Sequence, residues 1–268
     1  MPAHSLPHAT IANANLIHTT LIAAGEAAAL YILSRLLFVW ALQAVATSHR
    51  DGGPVLKFLR LPGNAIHEFS HAIGYLIGGY TVKRCQLCIF DKAGRGSCVP
   101  GGRWSPFALP WLATGLAAML PLIGGVLALR LCSNLLGIHL HAPTASTTGL
   151  AQALVGAVTT AFHSLDPWAW QTYLFVYLGF SIGAELAPST VDLRRSLPAL
   201  LVTSLALILT IIAFSRLPVA SPARGAFERG MSGALTSITS LVQFGLLATG
   251  LVAAITFLPA AVLRVLRG

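Results

Sequence analysis

The stretch Leu61-Pro62-Gly63-Asn64-Ala65-Ile66-His67-Glu68-Phe69-Ser70-His71 sets three polar, chemistry-bearing side chains inside a run that is otherwise largely apolar. Residues four apart on an α-helix stack on one face, so His67 and His71 would aim both imidazoles at a single point. Glu68 lies beside that face. Two histidines and a carboxylate in apolar surroundings are costly to bury without partners, and a metal ion meets that cost. With nine histidines in 268 residues, a shuffled chain would hold HExxH roughly once in two hundred cases, so chance explains the pattern poorly.

The chemistry of the motif is specific. Zinc polarises a carbonyl oxygen and lowers the pKa of a water on it from 15.7 to about 7. A neighbouring carboxylate then takes the proton and passes it to the leaving amine. His67 and His71 are therefore candidate zinc ligands, and Glu68 is the candidate general base. A catalytic zinc has three protein ligands and one open position. The chain has only eight acidic residues from which to complete the set. The segment Glu185-Leu-Ala-Pro-Ser-Thr-Val-Asp192 stands out, because it places two carboxylates and a helix-breaking Pro188 between two apolar runs. Irregular backbone at membrane depth is tolerated where it lines a cavity. Both Asp192 and Glu185 remain candidates on these grounds.

Composition sets the surroundings. Hydrophobic residues make up 55% of the chain and charged residues 9%, against about 25% charged in soluble domains. Apolar runs at Ala27–Ala46, Pro106–Leu131, Leu150–Phe162, Trp168–Ala184, Leu197–Phe214 and Ile238–Leu263 approach the roughly 20 residues of a spanning helix. The expected architecture is an all-α polytopic membrane protein, one membrane domain over residues 1–268. It would have about six or seven transmembrane helices, the shorter Leu150–Phe162 run being either spanning or interfacial. A polar linker is expected over residues 47–62, with Pro62-Gly63 starting the motif helix, which runs to about Tyr80. Gly74, Gly78 and Gly79 would give that helix a face open to close packing.

A small β-hairpin is expected at residues 82–99, with strand-like Thr81-Val82 and Cys88-Ile89-Phe90 and a turn at Asp91–Gly96. The net charge of +9 comes from residues scattered between apolar runs, which suits headgroup anchoring and excludes nucleic acid as the partner. Their even spread does not set the orientation. The first residues carry no basic region or cleavage site, so no signal peptide is expected. Four cysteines are too few for a disulfide scaffold, and Cys85-Gln-Leu-Cys88 reads as two thiols in a loop. His139-Leu140-His141 has a metal-binding form without a nearby carboxylate.

Taken with Gly78-Gly79-Tyr80-Thr81-Val82, the Leu61–His71 stretch resembles the M50 (site-2 protease) class of intramembrane zinc metalloproteases. The resemblance is clearest over residues 61–90 and weaker at Pro188–Asp192. It implies a multi-pass protein of the cell membrane that hydrolyses peptide bonds of membrane proteins or membrane-associated peptides. The implied site has His67, His71 and Asp192 on zinc, with Glu68 activating a zinc-bound water. The aspartate of that class is usually followed by glycine, whereas Leu193 follows here, and Glu185 remains the alternative ligand. Strand addition of the substrate to the hairpin edge would fit the same resemblance. Two other functions fit the residues: a non-catalytic zinc-binding membrane protein with a closed site, and a transporter lined by Glu26, Arg35 and Glu185.

Overall fold

The computed structural model describes residues 20, 24–39, 54–91, 96–106, 109–140, 150–218 and 221–267. Seven helices and one hairpin make up the described chain. They are α1 (24–39), α2 (Pro54–Ile77), β1 (Tyr80–Gln86), β2 (Ser97–Arg103), α3 (Pro110–Leu135), α4 (Leu150–Ser164), α5 (Trp170–Glu185), α6 (Thr190–Ser215) and α7 (Pro222–Arg267). The expected helical class and the hairpin are both present. The readings of a missing signal peptide, of the rest of the Ala27–Ala46 run, of the linker up to Gly53, of most of the turn after Asp91 and of His141 lie outside the described residues.

Three helices, rather than six or seven, are long and apolar enough to cross a membrane among the described residues: Pro110–Leu135, Thr190–Phe214 and Pro222–Thr256. Length and charge account for α2, α4 and α5, while the end of the Ala27–Ala46 run lies outside the described residues. α4 and α5 have 15 and 16 residues, short of a full crossing. α2 has 24 but carries Lys57, Arg60 and Glu68 in addition to the histidines. The case for lipid contact is sharpest at α6. Its most apolar window has a mean hydropathy of 2.5 with only 6% of it buried, and Leu201, Leu205, Ile208 and Leu209 are all exposed. A continuous apolar face of that size suits hydrocarbon and not water.

The motif helix starts earlier than its sequence suggests. α2 runs unbroken from Pro54, with Pro62 inside it. A proline within a helix leaves the carbonyl four residues back without its N–H partner. Here that carbonyl belongs to Phe58, and the Tyr177 hydroxyl donates to it at 2.8 Å. The next amide, Gly63 N–H, donates to Ser181 Oγ at 2.9 Å. Two side chains of α5 thus satisfy the groups that Pro62 disturbs. The early start also puts His67 about 20 Å along the helix instead of near its beginning.

Helices pack closely around α2. Gly74 and Gly78 meet Ala117 and Ala113 of α3, and Gly63 lies against the Ser181 backbone of α5. Gly79 has a further role. Its φ of 85° ends the helix in the left-handed region that glycine adopts without steric cost. Beyond the α2–α3–α5 group, Leu30, Val126, Phe175, Ile182, Leu247 and Leu251 form a common core drawn from α1, α3, α5 and α7.

β1 and β2 pair antiparallel, with Cys85 opposite Cys98 and Gln86 opposite Ser97. Cys88-Ile89-Phe90 forms a single 3-10 turn and not a strand. The reason is local: the Cys88 N–H, which a strand partner would use, donates instead to Asn64 Oδ1 on α2 at 2.8 Å. The Lys57 ammonium holds the following Asp91 carbonyl at 2.7 Å.

Candidate metal centre

His67, His71 and Asp192 come together from α2 and the first turn of α6, their ligand-type atoms all within 4.8 Å of one another. The two Nε2 atoms are 3.1 Å apart, and Asp192 Oδ2 lies 3.9 Å from the first and 3.7 Å from the second. Ligands about 2.0–2.2 Å from a tetrahedral zinc sit roughly 3.3–3.6 Å from one another. The observed separations bracket that range within a few tenths of an ångström.

Hydrogen bonds fix which nitrogen of each ring is free. His67 Nδ1 contacts the Glu185 carbonyl and His71 Nδ1 the Ala117 carbonyl, each at 2.8 Å. A carbonyl only accepts, so each Nδ1 carries the proton and donates it. Both Nε2 lone pairs then face one another, a repulsive arrangement unless a cation lies between them. Backbone carbonyls that accept from the other ring nitrogen are usual outer partners of metal-ligating histidines. The donor set of two imidazoles and a carboxylate suits zinc.

Helix imperfections supply both carbonyls. Ala117 lies four residues before Pro121, which sits inside α3 and has no N–H to give it. Glu185 is the last residue of α5, where carbonyls lack intrahelical partners. The amide four residues on, Ser189 N–H, donates to Asp192 Oδ2 instead, at 3.0 Å. Pro121 and Ala117 escaped the sequence reading, although a proline inside an apolar run is itself a signal that the carbonyl four residues back is available.

Asp192 is held by its own helix start. Ser189 caps α6 with a reciprocal capping box, the Ser189 hydroxyl donating to Asp192 Oδ2 at 2.6 Å and accepting from Asp192 N–H at 3.1 Å. The pattern Ser-x-x-Asp is legible in Ser189-Thr-Val-Asp192. Its capping role and its approach to the histidines use the same oxygen. Arg195, one turn on, hydrogen-bonds the buried Tyr75 hydroxyl.

The other candidate carboxylate is engaged elsewhere. Glu185 Oε1 accepts from Arg60 Nε at 2.5 Å, and the Arg60 guanidinium lies 4.8 Å from the Phe38 ring centroid. Glu185 therefore serves His67 through its backbone, and its side chain is absent from the three-residue group. Glu26 is wholly buried, accepts from Gln243 Nε2 at 2.7 Å and is not part of the three-residue group.

Glu68 is 4% exposed and accepts a hydrogen bond from Asn64 one turn back. It lies outside the ligand group yet lines the same cleft of about 420 Å³, together with both histidines, Asp192, Cys98 and Arg195. The hairpin roofs this cleft. Gly96, just before β2, sits so close to the ends of the Asn64 and Glu68 side chains that a Cβ there would displace them. On β2, burial, with Cys85 and Glu68 nearby, pushes the Cys98 thiol up to about 12.

No family model, no curated protein and no solved structure matches this chain. The functional reading therefore rests on the site itself.

Proposed function

We propose that the protein is an intramembrane metalloprotease, a multi-pass protein of the cell membrane that hydrolyses peptide bonds of membrane-associated substrates. More particularly, it is a zinc enzyme of the HExxH type, resembling the site-2 protease class. The observation that carries this reading is the convergence of His67, His71 and Asp192, with the two Nε2 atoms 3.1 Å apart and Glu68 beside them in one cleft.

Zinc, when bound, supplies Lewis acidity toward a carbonyl oxygen and toward water. The remaining steps belong to the chain. His67, His71 and Asp192 would hold the ion, leaving one position open, as a catalytic site requires. Glu68 takes a proton from the attacking water and returns it to the amine that leaves. Asn64 keeps the Glu68 carboxyl aimed, and the hairpin roof together with the surrounding helices limits bulk water. A helical substrate must unwind before attack, because its carbonyls are tied up in hydrogen bonds. The start of β2 lies along the cleft, where an extended segment can pair by strand addition. Among the described residues three ligand-type side chains, and not four, converge, which favours an open site over a closed structural one.

Removing metal from detergent-purified protein with a chelator is expected to stop cleavage of a transmembrane reporter peptide. One equivalent of zinc should restore it. Cleavage that survives complete metal removal would refute the proposal.

A further inference from the structure

Cys85 and Cys98 face one another across the hairpin, each the direct Cα partner of the other, with a hydrogen bond between their thiols. Directly opposed residues of an antiparallel pair have Cα atoms about 4.5–5.5 Å apart. Disulfides form across about 4.4–6.8 Å, so the backbone needs no rearrangement to join them. The nearer neighbour in sequence, Cys88, is turned away: it is buried, with its sulfur 3.9 Å from the Lys57 carbonyl and its amide bound to Asn64. The motif that reads as Cys85-x-x-Cys88 is thus a pair of unlike thiols, and the true partner of Cys85 lies on the other strand.

We propose that Cys85 and Cys98 are a modification site, forming a reversible disulfide that locks the hairpin over the cleft. Access decides the order of the steps. Cys85 is exposed and Cys98 is half-buried, so an external small-molecule disulfide such as oxidised glutathione meets Cys85 first. The Cys85 thiolate attacks it, forming a mixed disulfide and releasing one thiolate of the oxidant. Cys98, after losing its proton, attacks the Cys85 sulfur and expels the second. Two protein thiols are oxidised, one external disulfide is reduced to two thiols, and the exchange balances.

The crosslink would bear directly on the cleft. Residues 86–97 between the two cysteines include the 3-10 turn anchored to Asn64 and the Gly96 contact over Glu68. Tying the two ends of that segment together prevents the strands from separating where the segment covers the carboxyl. If the site admits an extended peptide, which rests on the proteolytic reading, oxidation slows cleavage because the roof can no longer lift.

The test incubates the full-length detergent-purified protein with oxidised glutathione, followed by digestion without reduction and mass spectrometry. The expected product is an intramolecular Cys85–Cys98 crosslink that dithiothreitol reverses. A Cys85–Cys88 crosslink, or glutathione retained on Cys85, would overturn the proposal. In parallel, oxidation is expected to slow reporter cleavage several-fold in wild type and leave Cys85→Ser unaffected. Crosslinking without any change in rate would overturn the locking role. An absence of cleavage in every sample, with the crosslink formed, would instead count against the proteolytic reading and leave the disulfide standing.

Discussion

Replacing Glu68 by Gln is expected to lower peptide-bond cleavage by about 10²- to 10⁴-fold, the usual contribution of a positioned general base, with zinc still bound. Gln keeps the shape of the side chain and can still hydrogen-bond Asn64, so the helix and the cleft should survive. It cannot take a proton. Glu68 stands outside the group formed by His67, His71 and Asp192, so its loss removes no ligand. The comparison is made by measuring metal content and reporter cleavage on the same preparation. Normal cleavage by Glu68→Gln would remove the carboxyl from the mechanism. Loss of zinc in that variant would instead make Glu68 a ligand.

The largest structural effect should come from Gly63→Ala. In an open helix, this exchange would stabilise by up to about 1 kcal/mol. Here the added Cβ would lie 2.9 Å from Ile182 N and closer still to the Ser181 carbonyl. Those are backbone atoms of α5, which cannot swing aside as a side chain can. The helices must separate, at a cost of about 1–3 kcal/mol for overpacking. The same movement would draw the Glu185 carbonyl from His67 Nδ1 and the Ser181 hydroxyl from the Gly63 amide. Gly63→Ala is therefore expected to lower the unfolding temperature in detergent and to weaken zinc binding. Gly230→Ala, where no atom lies within 4 Å of the new methyl, should be neutral or slightly stabilising. Equal behaviour of the two variants would show that the α2–α5 crossing does not constrain the site.

How much of this was legible in the chain differs from residue to residue. HExxH stood out because its chemistry is local: four positions of one helix are enough to align His67, Glu68 and His71. Asp192 was within reach because so few carboxylates exist, and the resemblance favoured it, but the residues alone left Glu185 open beside it. That choice depends on Arg60, which engages Glu185 from a position 125 residues away. Pro62 misled for a similar reason. Locally it reads as a helix start, and only Tyr177 and Ser181, on another helix, make it tolerable in the interior. The hairpin was visible as two strand-like segments around a turn, yet Cys88 left the strand because Asn64 takes its amide. Among the described residues fewer helices are long and apolar enough to cross than the six or seven expected, because α4, the run read as spanning or interfacial, and α5 are both too short to cross alone.

Pro121 has the broadest lesson. Placed inside an apolar helix, it reads as a packing irregularity. Its effect is to leave the Ala117 carbonyl for His71, much as the end of α5 leaves the Glu185 carbonyl for His67. Defects in two helices thus orient both imidazoles.

The most direct test is the zinc content of the purified protein and of two variants, His67→Ala and Asp192→Ala. The account predicts one zinc per chain in wild type and its loss in both variants, although the two residues lie on different helices, 125 positions apart in the sequence. Zinc retained at one per chain in Asp192→Ala, or no zinc in wild type under zinc-replete conditions, would contradict it.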